Sequence, residues 1–450
     1  MEADGGMNLK KCIINGVIIT MDDSRNIIED GFVMIDGNKI CEIGKMSDLK
    51  ASGDAELIDA DGGIVMPGFV NCHTHISMSV FRGLGEDMPD RLRRYMFPME
   101  DEILDERMVR VGARLSLIEL IQGGVTTFCD MYYFEDEVAK AVKDFGMRAV
   151  LGETILSKPS PDSSEPYGGI GYAKGFISKW KGDSLITPAF APHAPYTCDD
   201  QHLMEIRKLA DELDVPITMH LSEMLHEMEE FDSKYGKTPI RHLEDIGFLS
   251  EKLIAAHLVY MNDEDIEILK RNRVGAAHNV VANAKSGRKV SPAPAMHKAG
   301  IKVGLGTDGP MSGNHQDILS LLGYYTKIQK QAALDNRICP AMEAVELGTI
   351  GGARVLGMEE KIGSIEKGKK ADIIIIDTSA PNMQPIYDYY SAIVYAAHPH
   401  NVVMTMVDGK VLMSGRKLTV QDEKKVLDEV REVSKEIRTF ALELDRRARS

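Results

Sequence analysis

Short apolar runs alternate with amphipathic stretches through the middle of the chain. The runs are "GIVMPGFVNCHTH", "VTTFCDM", "RAVLGET", "LITPAFAPH", "ITMHLSE", "LIAAHLV", "VGAAHN" and "KVGLGTD", separated by helical patterns such as "DERMVRVGARLSLIELIQGG" and "DEDIEILKRNR". Alternation of buried strands with covering helices predicts an α/β fold, a (β/α)8 TIM barrel. The two ends of the chain have a different grammar. "CIINGVIITMD" and "GFVMIDGNKICEIG" near the start, and "KKADIIIIDTS" and "NVVMTMVDGKVLMSGRKL" near the end, are strands punctuated by Asp36-Gly37 and Asp408-Gly409. Asp-Gly between apolar runs signals a hairpin. Termini of a domain often lie close together, so both ends are expected to build one small β-sandwich. The expected division is residues 8–66 and 367–450 for the sandwich plus a C-terminal helix from about Gln421 to Ser450, and 67–366 for the barrel. Met1 to Gly6 read as a loose leader, with Met7 an alternative start.

Polar side chains punctuate the ends of the barrel runs: His73 and His75, Asp130, Glu153, His193, His220, His257, His278 and Asp308. Active sites of this fold gather at the C-terminal ends of the strands. One polar residue there is commonly a satisfied core group, but nine in phase with eight strands point to a site.

At 450 residues the chain exceeds the roughly 250 of a bare barrel, leaving room for the accessory sheet. A formal charge of -16 disfavours phosphate backbones and anionic lipid, so nucleic acid and membrane are poor partners. A small neutral or cationic substrate suits it better, and self-association into a homo-oligomer stays open. The six cysteines are scattered and form no C-x-x-C, which reads as reduced thiols in a cytoplasmic protein. No apolar stretch reaches the roughly 20 residues that span a bilayer.

His73 and His75 stand two apart in a strand, so both imidazoles face one side and can reach one ion. His220 and Glu223 in "HLSE" pair a ligand type with a nearby proton carrier; the bland alternative is an acid at a helix N-terminus. His257 sits among small apolar residues, and Asp308 closes "GLGTD", where it could equally cap a helix.

Taken in order on successive strands, H-x-H, H, H and D resemble the amidohydrolase superfamily over nearly the whole chain, through "GSIEKGKKADIIIID". Binuclear members hold a second ion through a carboxylated lysine near the end of strand four. Here "LITPAFAPHAPY" carries His193 and no lysine, so the resemblance is to the mononuclear deaminase and chlorohydrolase branch. That resemblance implies one divalent metal ion, zinc first and iron or manganese next, on His73, His75, His220 and Asp308. It gives catalytic proton transfers to Glu223, His257 and Asp308, with water activated by the ion as nucleophile. The enzyme class implied is a metal-dependent aminohydrolase acting on C–N bonds other than peptide bonds.

"MFPMED" resembles the segment where deaminases of methylthioadenosine and S-adenosylhomocysteine place an acid on the ribose hydroxyls, here Glu100. "APHAPYTCD" resembles their purine-contacting segment, here His193. The expected substrate is therefore an adenosine-type nucleoside: adenosine, 5'-deoxyadenosine or methylthioadenosine. Two departures stand out. The basic run Arg91 to Arg94 replaces a tryptophan and is placed to neutralise Glu100. Glu153 and "SKPSPDSSEPYGGIG" replace two arginines, so an amino-acid carboxylate on the substrate lacks its obvious partner. His278 and Asn279 could complete the pocket wall or equally be structural groups. Competing readings are a guanine-, pterin- or triazine-type deaminase or chlorohydrolase with the same metal site, and a non-catalytic scaffold of the same fold.

Overall fold

The computed structural model describes residues 10–50 and 53–448. The leader, Met7 and the last two residues of the expected helix lie outside the described residues.

Eight parallel strands form the barrel wall: β1 (Phe69–Thr74), β2 (Val125–Tyr132), β3 (Arg148–Ile155), β4 (Ile186–Pro192), β5 (Ile217–Leu221), β6 (Leu253–His257), β7 (Gly275–His278) and β8 (Val303–Leu305). Their residues are buried almost without exception, because helices cover one face and the barrel interior the other. The Asp308 amide donates to the His73 carbonyl at 3.0 Å, and Asn71 Nδ2 donates to Thr307 Oγ1 at 2.7 Å, joining the β8 end to β1. The barrel expected from the alternating pattern is present.

Both ends of the chain build one nine-stranded mixed sheet. It is joined where Ile64–Pro67 pairs antiparallel with Ile373–Ile376. Both expected hairpins form, with Asp36 opposite Lys39 and Val407 opposite Lys410. Asp408 and Gly409 both take positive φ, 50° and 77°, the backbone a two-residue type I' turn requires.

One expected strand divides. The run from Gly63 to His75 pairs with the terminal sheet as far as Pro67 and enters the barrel at Phe69. Gly68 marks the change of sheet. A Cβ there would lie 2.1 Å from the Thr126 side chain, so the chain can cross only without one.

Arg148, at the start of β3, locks the two units together. Its guanidinium donates to Asp372 at 2.8 and 3.2 Å and to Asp408 at 3.2 Å, all at the end of the barrel opposite the site. Helix α1 (Phe97–Glu102) lies on the site side, and α2 (Glu106–Gln122) follows it. Three further helices matter below: α3 (Leu225–Tyr235), α4 (Val280–Lys285) and α5 (Glu423–Arg447). The amphipathic α5 buries Val426, Val433, Ile437, Ala441 and Leu444 and pairs with α2 through Arg107–Glu436 and Arg114–Glu429. Among the described residues no helix is long and apolar enough to cross a membrane.

Candidate metal centre and substrate cavity

His73 and His75 leave the end of β1, His220 lies in β5, His257 ends β6 and Asp308 follows β8. The barrel brings them together. Ring centroids of His73 lie 4.9 Å from those of His75 and His220 and 5.4 Å from that of His257. Donor atoms of His73, His75 and Asp308 fall within 4.8 Å of one another, as do those of His73, His220 and His257.

The tautomers reveal what this cluster is built for. His75 Nδ1–H donates to the Met131 carbonyl at 2.5 Å, and His220 Nδ1–H to the His193 carbonyl at 2.9 Å. Each Nε2 is therefore a lone pair, and the two face one another at 3.2 Å. His75 Nε2 also lies 3.4 Å from Asp308 Oδ1, a third acceptor. Buried His73 has no partner at either ring nitrogen. Acceptors converging on acceptors in a buried site fit a cation and little else. Burial and the neighbouring imidazoles also hold His73 and His220 well below the usual histidine range, in the neutral form a metal binds.

Glu223 stands beside this cluster, with Oε1 3.5 Å from His257 Nε2. Its position is dictated by a second carboxylate. Buried Glu227, in the first turn of α3, accepts the amides of Ser222 at 2.8 Å and Glu223 at 2.9 Å. Ser222, His257 and Asp308 all have positive φ, 51°, 76° and 61°, so backbone strain gathers at the site. His257 Nδ1–H donates to Asn283 Oδ1 at 3.0 Å, which turns Nε2 toward Glu223. Arg288 completes the circuit as an ion-pair partner, its Nη1 2.9 Å from Glu223 Oε1.

A cavity of about 620 Å³ opens from the cluster, with His75, His220, Glu223, His257 and Asp308 at its inner end. Glu100, on α1, and His193 line it too. Glu100 is buried and accepts the Tyr132 hydroxyl at 2.8 Å; burial pushes its carboxyl up to about 7. His193 is held by Thr197 Oγ1 at 3.1 Å, and burial lowers it to about 4.

The amidohydrolase family profile matches residues 64–412. A 5-methylthioadenosine/S-adenosylhomocysteine deaminase of Syntrophus aciditrophicus is 37% identical over 96% of this chain and 98% of its own. A protein of the same name from Carboxydothermus hydrogenoformans is 40% identical, over 88% and 91%. The chain belongs to the amidohydrolase family. A solved adenosine deaminase of Xanthomonas campestris with bound zinc superposes on this amidohydrolase with a TM-score of 0.93 at 31% identity, covering 96% of this chain and 99% of that one. Atrazine chlorohydrolase of Arthrobacter aurescens, complexed with zinc, shares the fold with a TM-score of 0.88 at 24% identity over 94% and 99%.

Not every polar residue at the strand ends reaches the cavity of this amidohydrolase. Asp130, Glu153 and His278 are buried behind it, outside its lining. Asp130 accepts the Ile76 amide at 2.7 Å and so braces the backbone just beyond His75. Buried together with Glu135, Asp130 and Glu153 are raised by desolvation, Asp130 to about 7. His278 turns to Gln329, and Asn279 is buried beneath the strand ends, so of the two readings left open for them the structural one holds. The basic run does not neutralise Glu100. Arg91 donates to the Met311 carbonyl at 2.8 Å and Arg94 to Asp445 at 2.8 Å.

Sequence reasoning missed Glu227, Asn283, Arg288 and Tyr132. Glu227 left a signal in "HLSEMLHE", an acid placed to cap the turn it follows. Arg288, in a loop after α4, belongs to no periodic pattern.

Proposed function

We propose that this amidohydrolase is a metal-dependent hydrolytic deaminase of an adenosine-type nucleoside, in the adenosine, 5'-deoxyadenosine and methylthioadenosine class. The observation that carries the reading is the face-to-face pair of lone pairs on His75 and His220, beside Glu223 at the inner end of a cavity that Glu100 also lines. His73, His75, His220 and Asp308 would hold one divalent ion, zinc first. When bound, that ion lowers the pKa of a water towards about 7 and supplies the nucleophile.

The chain's own groups do the rest. Glu223 delivers a proton to the ring nitrogen next to the aminated carbon, making that carbon electrophilic. His257 Nε2 and Asp308 accept the proton of the attacking water and orient its oxygen. A C–O bond forms, the C–N bond breaks as the amino group takes the proton held by His257 and Asp308 and leaves as ammonia, and the new hydroxyl returns its remaining proton to Glu223, leaving a C=O group. Glu100 accepts hydrogen bonds from two adjacent ribose hydroxyls, for which a carboxylate offers two oxygens. His193 supports the purine edge. The relatives' names and the adenosine deaminase likeness support this substrate class. A cytoplasmic setting accords with six free cysteines.

Ammonia release from the metal-loaded enzyme, measured across adenosine, methylthioadenosine, free purines, pterins and cytosine, tests the proposal. Turnover of ribonucleosides above free bases is expected. Activity confined to free bases or pterins would contradict the nucleoside assignment.

A further inference from the structure

The names of the relatives join two substrates that differ only at the 5' position: a methylthio group against an amino-acid tail. The lining of the cavity differs between its inner end and its mouth. Burial orders it from inside to outside. His75, His220 and Glu100 are at the inner end, while Lys158 is half-exposed at the mouth with Phe97. If Glu100 holds the ribose hydroxyls, as proposed above, the base points to the histidines and the 5' substituent to the mouth.

The mouth is apolar. Met88, Leu92, Met96 and Phe97 line it, a surface that suits a small thioether. Cations line the cavity too, but each already has a carboxylate. Lys158 Nζ lies 2.8 and 3.0 Å from the two oxygens of Asp101. Lys285 pairs with Glu86 at 2.5 Å, Arg91 with the same Glu86 at 3.6 Å, and Arg288 with Glu223 at 2.9 Å. A substrate carboxylate entering here meets spent cations, with Asp101 on Lys158 as a like charge.

We infer that this enzyme selects nucleosides with an uncharged 5' substituent over those with an amino-acid tail, and that Asp101, by holding Lys158, sets the preference. Lys158 lines the cavity, and its partner Asp101 lies on α1 beside Glu100. An alternative pairing is available to a zwitterion, with its ammonium on Asp101 and its carboxylate on Lys158. It requires the existing pair to open, and it predicts the opposite response to substitution.

The test is kcat/KM for methylthioadenosine and S-adenosylhomocysteine on the metal-loaded wild type, Asp101→Asn and Lys158→Met. Asp101 and Lys158 are half-exposed, and such pairs add little to stability, so both variants fold. Wild type should favour methylthioadenosine. Asp101→Asn should raise S-adenosylhomocysteine relative to methylthioadenosine by about three- to fivefold, the scale of an exposed ion pair. Lys158→Met should give no such gain. An unchanged or lowered ratio in Asp101→Asn would overturn the inference, and a lowered one would identify zwitterion docking. Methylthioadenosine turnover by the wild type separates the two claims, since its absence with every nucleoside would retire the nucleoside reading itself and this inference with it.

Discussion

Glu227 accepts the backbone amide of Glu223 at 2.9 Å, so one buried carboxylate fixes the turn that carries another. The pair divides the work. Glu223 faces the cavity and its Oε1 meets His257 and Arg288, whereas Glu227 is wholly buried and faces only backbone. Burial raises Glu227 to about 7 although it accepts three amides, from Ser222, Glu223 and Met224. Glu227→Gln replaces one acceptor oxygen by a donor that faces an amide. We expect a loss of kcat of about tenfold or more with little change in metal content, since a small misplacement of a proton carrier is costly. Steady-state kinetics beside elemental analysis check it; loss of the metal together with kcat would show that the turn supports the ligands instead.

Glu223→Gln should keep the metal and lose about 10²–10⁴-fold in kcat, the usual contribution of a positioned proton carrier. A metal-free variant would make Glu223 a ligand.

Glu100 links pH to both binding and stability. Its carboxyl is raised to about 7 by burial, so the carboxylate that the ribose hydroxyls require is lost as pH falls through 7. KM for ribonucleosides should therefore rise below pH 7, and KM for a 2',3'-dideoxy analogue should not follow it. For stability the sign is reversed. A raised folded pKa means the ionised form is disfavoured in the fold, so the native state loses stability as pH rises through 7. Glu100→Gln removes that loss. Its melting temperature should exceed that of wild type at pH 8 and match it near pH 4, while its preference for nucleosides over free bases narrows.

Much of this was legible in the sequence. Barrel strands announced themselves because parallel strands buried on both faces are continuous apolar runs, and the Asp-Gly turns of the terminal sheet have few other uses. His73, His75, His220, His257 and Asp308 could be found because strand ends converge by geometry. What lay hidden depends on side-chain direction. Asp130, Glu153 and His278 share the strand-end position yet are buried behind the cavity, and a period of two does not say which face of a barrel strand meets the cavity. Arg288 and Asn283 reach the site from the loop and short helix after β7, where no pattern constrains them.

Arg148→Met should destabilise the whole chain without touching the chemistry. The side chain is buried and neutralises Asp372, itself buried, across the junction of barrel and terminal sheet. Removing one partner leaves an uncompensated buried charge, at a cost of about 3–5 kcal/mol. Urea unfolding followed by circular dichroism measures it, and kcat per folded molecule should stay unchanged.

The account rests on one ion serving four protein ligands, and metal reconstitution tests that most directly. Enzyme stripped with a chelator should release no ammonia from methylthioadenosine. Activity should rise in proportion to added zinc and break sharply at about one equivalent per chain, where His73, His75, His220 and Asp308 are satisfied. A break at two equivalents, or full turnover by the stripped protein, would contradict it.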